Sequence, residues 1–459
     1  MDINPFEFLH FIIFFLDNCL CRNFFTDPLQ KIKAEIPKTQ WKFLQYEFST
    51  NHLDIHRFRY QAQSIVIEAG ASVLGEEALE NANIPFSITE IDLHEAVKND
   101  LNQTINNPGI VNGSITFQRT LRYDEILNFL KEVPKRSTSY RYISVEAIGK
   151  SFENRDIQMV KIQHPAAKSI MFFDAGIHGR EWISVMTALY LIVRLIEADR
   201  NDDINDVNWY IIPCVNPDGF IYSHEQFPFQ RGNRNVTDCP PPCSVCGVDL
   251  NRNFGYKWGV DGLTSNNCSL TNPGSHAFSE PESKALANTL EKYAKDIQLY
   301  ISMHSYGCDF LLPWTYEEKP CDDADDLNKA ADRSAALMNS FKASPQCRFD
   351  VQTAGIMPNA GSSEDYAKGA LNIKYVYTLE LQSGGQSGFY PLEREIQDSV
   401  LQSYAGIKDI THYIHTETGR NQEMGRRMLE QSRRKSGCRE IYSVNLSLYI
   451  LFCFISALS

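Results

Sequence analysis

No stretch of this chain supplies the ~20 consecutive apolar residues that a membrane-spanning helix needs. The longest candidate, Val444–Leu458 (VNLSLYILFCFISAL), is short and carries Asn445 near its start. Positive charge is also in deficit: 44 Lys and Arg stand against 57 Asp and Glu, a net charge of −13. An acidic protein is repelled by phosphate, which argues against a nucleic-acid partner. It would attract basic peptides, though only weakly at physiological salt. Internal repeats and low-complexity tracts are missing, and composition is that of an ordinary globular protein. Finally, there is no Lys or Arg between Lys98 and Arg119, so the Asn/Gly-rich stretch Asn99–Gly113 offers no tryptic cleavage site.

What is present points to the secretory pathway and an extracellular, secreted or cell-surface-anchored protein. Twelve cysteines, with sequons at Asn102, Asn112, Asn235 and Asn267, fit an oxidising compartment. Phe6–Leu16 (FEFLHFIIFFL) has the length of a signal-peptide core although it lacks a positive leader, and residues 1–22 are read that way. The other reading is a buried helix. Residues 417–459 comprise a basic linker, the small residues Ser436-Gly437-Cys438, a spacer and the hydrophobic tail. That order fits a GPI-attachment signal, so membrane contact is expected only through such a lipid anchor. A chance hydrophobic end that docks on the protein is the alternative. Length suffices for a large core and a smaller domain.

Four polar clusters punctuate apolar, strand-like runs. His178 and Glu181 follow Ser169–Ile177, and Asn216-Pro-Asp218-Gly follows Val207–Val215. His304-Ser305-Tyr306 follows Ile297–Met303, and Glu380 lies inside Ile373–Leu381. In an open α/β sheet, ligands bind beyond the carboxyl ends of the strands, so these distant positions are expected in one cleft. An HxxE alone is as well read as a helix start with a capping Glu, and a lone His304 as a core histidine. Together, His178, Glu181 and His304 give a Zn²⁺ three protein ligands and leave one position open, the catalytic arrangement.

The sequence resembles the zinc carboxypeptidases of the pancreatic A/B type. Its H-x-R-E-W signature stands as His178-Gly179-Arg180-Glu181-Trp182 and its N-P-D-G loop as Asn216–Gly219. D-x-N-R-N is Asp249–Asn253, the H-S-Y segment is His304–Tyr306, and T-L-E-L is Thr378–Leu381. The match runs from about Ile115 to Thr416 in family order. It implies a mixed eight-stranded sheet with helices on both faces, one zinc per catalytic domain (114–416), and peptide or protein C-termini as substrates. Residues 23–113 resemble the family's small α+β pro-segment plus linker, which covers the cleft. Quoted there are Trp41-Lys-Phe-Leu, Leu53-Asp-Ile-His, and Ile84-Pro-Phe-Ser-Ile-Thr-Glu-Ile. An activating protease of non-tryptic type, or a pro-segment that stays attached, would follow.

The resemblance also implies roles. Glu380 would be the general base, and Arg231 the cation that stabilises the oxyanion. Asn251 and Arg252 would grip the terminal carboxylate, a task that suits Arg, and Arg180 would serve a secondary subsite. Ser305 and Tyr306 would touch substrate. Asp249 would orient His178, as carboxylates do for metal-bound histidines. Cys246 and Cys268 match a family disulfide, while Cys239, Cys243, Cys308, Cys321 and Cys347 leave further pairings open.

Two positions depart from the family pattern. Met357 (or Pro358 by direct counting) replaces the tyrosine that caps the substrate, and Gln382 replaces an arginine near the base. The specificity position falls on Glu364, or on Asp365 by counting, and either puts a carboxylate in the pocket. With Gln352 and Thr315 on the walls, this implies a B-like preference for Lys and Arg. The alternative is that Glu364 points to solvent and the pocket has an A-like preference for aliphatic or aromatic residues. A catalytically silent peptide-binding homologue is the rival from another class.

Overall fold

Every residue of Ile170–Ala175 is buried. Such a run, without polar alternation, belongs in mid-sheet with both faces covered. In the computed structural model of the protein it occupies that place. The structure describes residues 29–40, 53–61, 63–90, 92–237, 239, 243, 245–260, 266–341, 347–353 and 359–436, with side chains as far as residue 417. The hydrophobic runs at 6–16 and 444–458, the segment 41–44, and Met357 with Pro358 lie outside the described residues.

The first described region is small. Strands β1 (Gln30–Pro37), β2 (Leu53–Tyr60), β3 (Ser64–Ala71) and β4 (Phe86–Glu90) form an antiparallel sheet in the order β2-β3-β1-β4. Helices α1 (Val73–Asn81) and α2 (Leu93–Thr104) complete this α+β region. Its own core is aliphatic, with Ile32, Ile36, Ile65, Ile67 and Leu79 all inaccessible to solvent. The stretch expected to be linker from residue 99 is helical as far as Thr104. Two short strands follow, β5 (Ile110–Val111) and β6 (Ser114–Ile115), joined through Asn112 and Gly113 at positive φ. An Asn-Gly pair favours that turn because both central residues need a left-handed backbone.

The large region begins with α3 (Tyr123–Glu132) and the antiparallel pair β7 (Tyr142–Lys150) and β8 (Asp156–Gln163). It continues through β9 (Ile170–Ala175), α4 (Trp182–Glu197), β10 (Asn208–Ile212), α5 (Pro217–Glu225) and α6 (Pro281–Tyr293). β11 (Ile297–Ser305), β12 (Asp309–Leu312), α7 (Ala324–Asn339), β13 (Asp350–Thr353), β14 (Tyr375–Leu381) and α8 (Glu393–Ser436) complete it. The strands form one mixed eight-stranded sheet in the order β13-β12-β14-β11-β9-β10-β8-β7. Met171 and Phe173 pack on one face with α4 and α8, while Ile170 and Phe172 pack on the other with α6. Alternation within a single strand therefore feeds two cores. Residues up to Ile414 form one compact unit; the second, His415–Ser459, is represented by the end of α8. Among the described residues no helix is long and apolar enough to cross a membrane.

The four central strands β10, β9, β11 and β14 are mutually parallel. Their carboxyl ends therefore open on the same side of the sheet, and the register sets His304 directly beside Glu380.

Candidate metal centre and active site

β9 ends at Ala175, and Gly176 turns the chain with φ +62°. A Cβ at Gly179 would come within 2.5 Å of the Gly219 carbonyl oxygen, so only glycine allows this close packing of the His178 loop on α5. Glu181 then precedes α4 directly. These turns bring His178 Nδ1 to 2.7 Å from Glu181 Oε1. His304, at the end of β11, places its Nδ1 3.1 Å from Glu181 Oε2 and 3.2 Å from His178 Nδ1. All three side chains are buried, and their ligand atoms lie within 4.8 Å of one another.

This donor set fits a zinc ion. His178 Nε2 faces Asp249 Oδ1 at 3.0 Å and gives its proton there, so its Nδ1 presents a lone pair to the centre. Two imidazole nitrogens and a carboxylate thus converge, an arrangement that demands a cation. Burial would lower the His304 imidazole, but Glu181 holds it well above the usual range, so the centre favours positive charge. Asp249 resists the rise burial would cause: Arg231, Arg252 and His178 hold it well below the usual carboxylate range. Arg231 Nε donates to Asp249 Oδ2 at 2.9 Å, and Arg231 Nη1 stands 3.5 Å from Glu181.

Glu380 lines the same cavity of about 100 Å³. Burial pushes its carboxyl up to about 8; His304 and Arg231 pull it down, while Glu181 and Asp309 add to the rise. Leu311, Thr315, Asn359, Ser362, Glu364 and Thr378 also line it. Glu364 is 1 % exposed, so it does not face solvent. Burial raises it, but contacts with His304 and its other partners bring it down to about 2. Its carboxylate accepts from Asn251 Nδ2 at 3.2 Å and lies 3.4 Å from His304 Nε2. Asp365 takes no part in the cavity; it caps Thr315 through the backbone amide at 2.9 Å and the hydroxyl at 2.6 Å.

Asn251 Oδ1 accepts from Ser363 N at 2.9 Å, and Arg252 Nη1 donates to the Asn251 carbonyl at 2.8 Å; both residues line the cavity. Ser305 N donates to Glu181 at 3.2 Å. Gln352 binds Asp309 Oδ1 at 2.6 Å, outside the cavity lining. Gln382 donates to the Glu395 carbonyl at 2.7 Å. The Asn216 cluster supplies no group to the centre: Asn216 bonds Ile177 O and Gly219 N, closing the turns beneath His178.

One pairing differs from expectation. Cys246 does not bond Cys268; the bridges are Cys243–Cys268 and Cys239–Cys246, with Cα separations of 5.7 and 6.1 Å. The sulfurs of Cys239, Cys243 and Cys246 lie within 4.8 Å of one another, so a neighbouring cysteine takes the place expected for Cys246. Cys308–Cys347 is a third bridge, and Cys214 and Cys321 are free and buried.

The small sheet contributes residues that motif reasoning passed over. From β2, Asp54 forms a buried bidentate ion pair with Arg180, with Nη2 to Oδ1 at 2.9 Å, and the guanidinium lies 4.5 Å over the Phe389 ring. His56, two residues on, faces Asp54 and the Tyr306 hydroxyl, each at 3.2 Å. Both Asp54 and His56 line the cavity. Their i, i+2 spacing on a strand was the available signal.

The zinc carboxypeptidase family profile (peptidase M14) matches residues 126–406. The chain belongs to that family. Carboxypeptidase B of Astacus astacus is 32% identical over 298 residues, covering 64% of this chain and 96% of that one. Carboxypeptidase B2 of Homo sapiens is 28% identical over 401 residues, covering 84% and 89%. The crystal structure of the carboxypeptidase A from Helicoverpa armigera superposes with a TM-score of 0.76 at 24% identity, covering 85% and 98%, and shares the fold. The protein is thus a metallocarboxypeptidase, a peptide hydrolase with one zinc as cofactor, and His178, Glu181 and His304 form a group able to hold it.

Proposed function

We propose that the protein removes single residues from the C-termini of peptides and proteins, with a preference for Lys and Arg. The observation that carries the preference is Glu364, a buried carboxylate held ionised in a cavity to which Thr315, Asn359, Ser362 and Thr378 add hydroxyl and amide groups. A cationic side chain entering that pocket meets charge where an apolar one would strand it.

In this reading His178, Glu181 and His304 hold the zinc, and Asp249 orients His178. Zinc, when bound, supplies Lewis acidity toward a carbonyl and lowers the pKa of water. Glu380 accepts the proton of the attacking water at its carboxylate and delivers it to the leaving amine. Arg231 faces the negative charge that develops on the carbonyl oxygen. Asn251 and Arg252 receive the substrate carboxylate, which restricts the reaction to free C-termini; Arg180, Ser305 and Tyr306 contact residues further back.

One observation favours the A-like reading. Asn251 and His304 already face the Glu364 carboxylate, which satisfies part of its charge and lets neutral side chains compete. Peptides differing only in a last Lys, Arg, Leu, Phe or Glu, followed by mass spectrometry beside a Glu380→Gln control, separate the two. Loss of Lys and Arg by the wild type supports the proposal; loss of Leu and Phe instead replaces it with the A-like enzyme.

The small sheet belongs to the pro-segment (23–113), whose Asp54 occupies Arg180 and so covers the cleft. Release by a trypsin-like protease is disfavoured: Arg119 is tied to Glu125 at 2.6 and 2.8 Å and to Asn107 O at 2.9 Å. A leader over 1–22, glycans on the sequons and a lipid anchor in 417–459 complete the proposal.

A further inference from the structure

His178 has the Asp249 carboxylate directly behind it at 3.0 Å, whereas the carboxylate nearest His304 Nε2, that of Glu364, stands at 3.4 Å. Three groups face His304 Nε2: Ser302 Oγ at 3.1 Å, Glu364 Oε1 at 3.4 Å and Asn251 Nδ2 at 3.5 Å. Asn251 can only donate from that atom, and Glu364 Oε1 is the more distant of the two acceptors. Ser302 is therefore the nearer acceptor. Its hydroxyl in turn lies 2.9 Å from Asp174 Oδ1. Ser302 and Asp174 are cross-strand partners in the β11–β9 register, and neither is exposed at all.

An acid at Asp174, inside the apolar run IMFFDA, is costly to bury without purpose. We infer that Asp174 is a positioning residue for the metal centre, acting through Ser302 on His304. This rests on His304 being a zinc ligand. The logic is one of hydrogen-bond polarity. A serine hydroxyl has one hydrogen, and Asp174 in its ionised form can only accept; burial pushes its carboxyl up to about 7, while hydrogen bonds from Tyr300 and Ser302 pull it down. Giving that hydrogen to Asp174 leaves Ser302 with a lone pair toward His304, which then carries its proton on Nε2. Nδ1 is left bare, aimed at His178 Nδ1 and Glu181, the direction in which a metal must bind. The reverse polarity aims the serine hydrogen at Nε2 and puts the proton on Nδ1, where it blocks a cation. The Asp174–Ser302 pair thus does for His304, through one intervening hydroxyl, what Asp249 does directly for His178.

The test uses the full chain loaded with zinc, and reads zinc affinity by competition with a chelator and the visible spectrum of the cobalt(II) form. Ser302→Ala and Asp174→Ala are each expected to weaken zinc binding about 10–100-fold, and the double variant no further than the weaker single. Asp174→Asn, which keeps an oxygen acceptor, is expected to restore affinity to within about threefold of wild type and to restore the cobalt spectrum. Additive losses in the double variant, or a lower melting temperature of the metal-free protein with unchanged zinc affinity, would overturn the relay. So would a Glu364→Gln variant that loses affinity while Ser302→Ala keeps it. His304→Ala is the control on the underlying reading: if it retains zinc, His304 is no ligand; if it loses zinc while Ser302→Ala does not, only the relay fails.

Discussion

The two sheets bury charge in opposite ways. In the eight-stranded sheet, buried ionised groups answer one another within the same region: Asp249 meets His178 and Arg231, and Glu181 meets both histidines. In the small region the core of the four-stranded sheet is aliphatic, and two buried acids, Asp54 on β2 and Asp100 on α2, reach outward instead. Asp54 pairs with Arg180, and Asp100 accepts from Gln386 N at 2.9 Å and from Ser387 N at 3.0 Å and Oγ at 2.8 Å. Asp54 keeps one partner, His56, in its own sheet, but its ion pair and these Asp100 bonds reach the large region. The small sheet is thus built to be docked, and the large one to hold a cation.

That contrast can be broken most sharply at the centre. Glu380→Gln is expected to lower kcat by about 10²–10⁴-fold while zinc content stays at wild-type level, measured by peptide hydrolysis and metal analysis of the same preparation. A variant that also lost zinc would make Glu380 part of the metal site and blur the distinction between base and ligand.

The outward acids come next. Asp54→Ala leaves Arg180 buried and unpaired, a loss of about 3–5 kcal/mol in docking. Hydrogen exchange on β2 should rise and larger peptides should gain access to the full chain. If exchange on β2 is unchanged, the ion pair is incidental to docking.

Acid should do the same reversibly. Burial alone would raise Asp54, but Arg180 and His56 hold it far below the usual range. A carboxyl depressed in the docked state stabilises docking above its free pKa of about 3.9 and loses that contribution as pH falls through the depressed value. Protection of β2 should therefore persist from neutral pH to about 4 and fail below it. Burial lowers the His56 imidazole, so opening that sets in as pH falls below its free value of about 6.5 would shift the control to His56 instead.

The smallest expected effect is on selectivity. Glu364→Gln keeps the hydrogen-bond shape and removes the charge, so the ratio of Lys to Leu release should fall about tenfold, a loss of ~1.4 kcal/mol. An unchanged ratio would mean the charge is already answered by Asn251 and His304.

The meeting of His178, Glu181, His304 and Glu380 was legible because each sits at or near the end of an apolar run, and parallel strands bring such ends together. The Asn216 cluster met the same criterion yet serves the turns, since strand-end position does not say which way a side chain is used. Asp54 was not legible as the partner of Arg180, because the pair spans 126 residues and the i, i+2 spacing with His56 marks a shared face without naming the partner. Asp174 hid inside a run read simply as strand. The cysteine pairing failed for a plainer reason: Cys239, Cys243 and Cys246 bring their sulfurs within 4.8 Å of one another, so spacing cannot choose among them.

The most direct measurement is an anomalous difference map recorded at the zinc absorption edge from crystals of the full chain. One peak bounded by His178 Nδ1, His304 Nδ1 and the Glu181 carboxylate is the expected result. No peak there, or a peak among Cys239, Cys243 and Cys246 instead, would contradict the account.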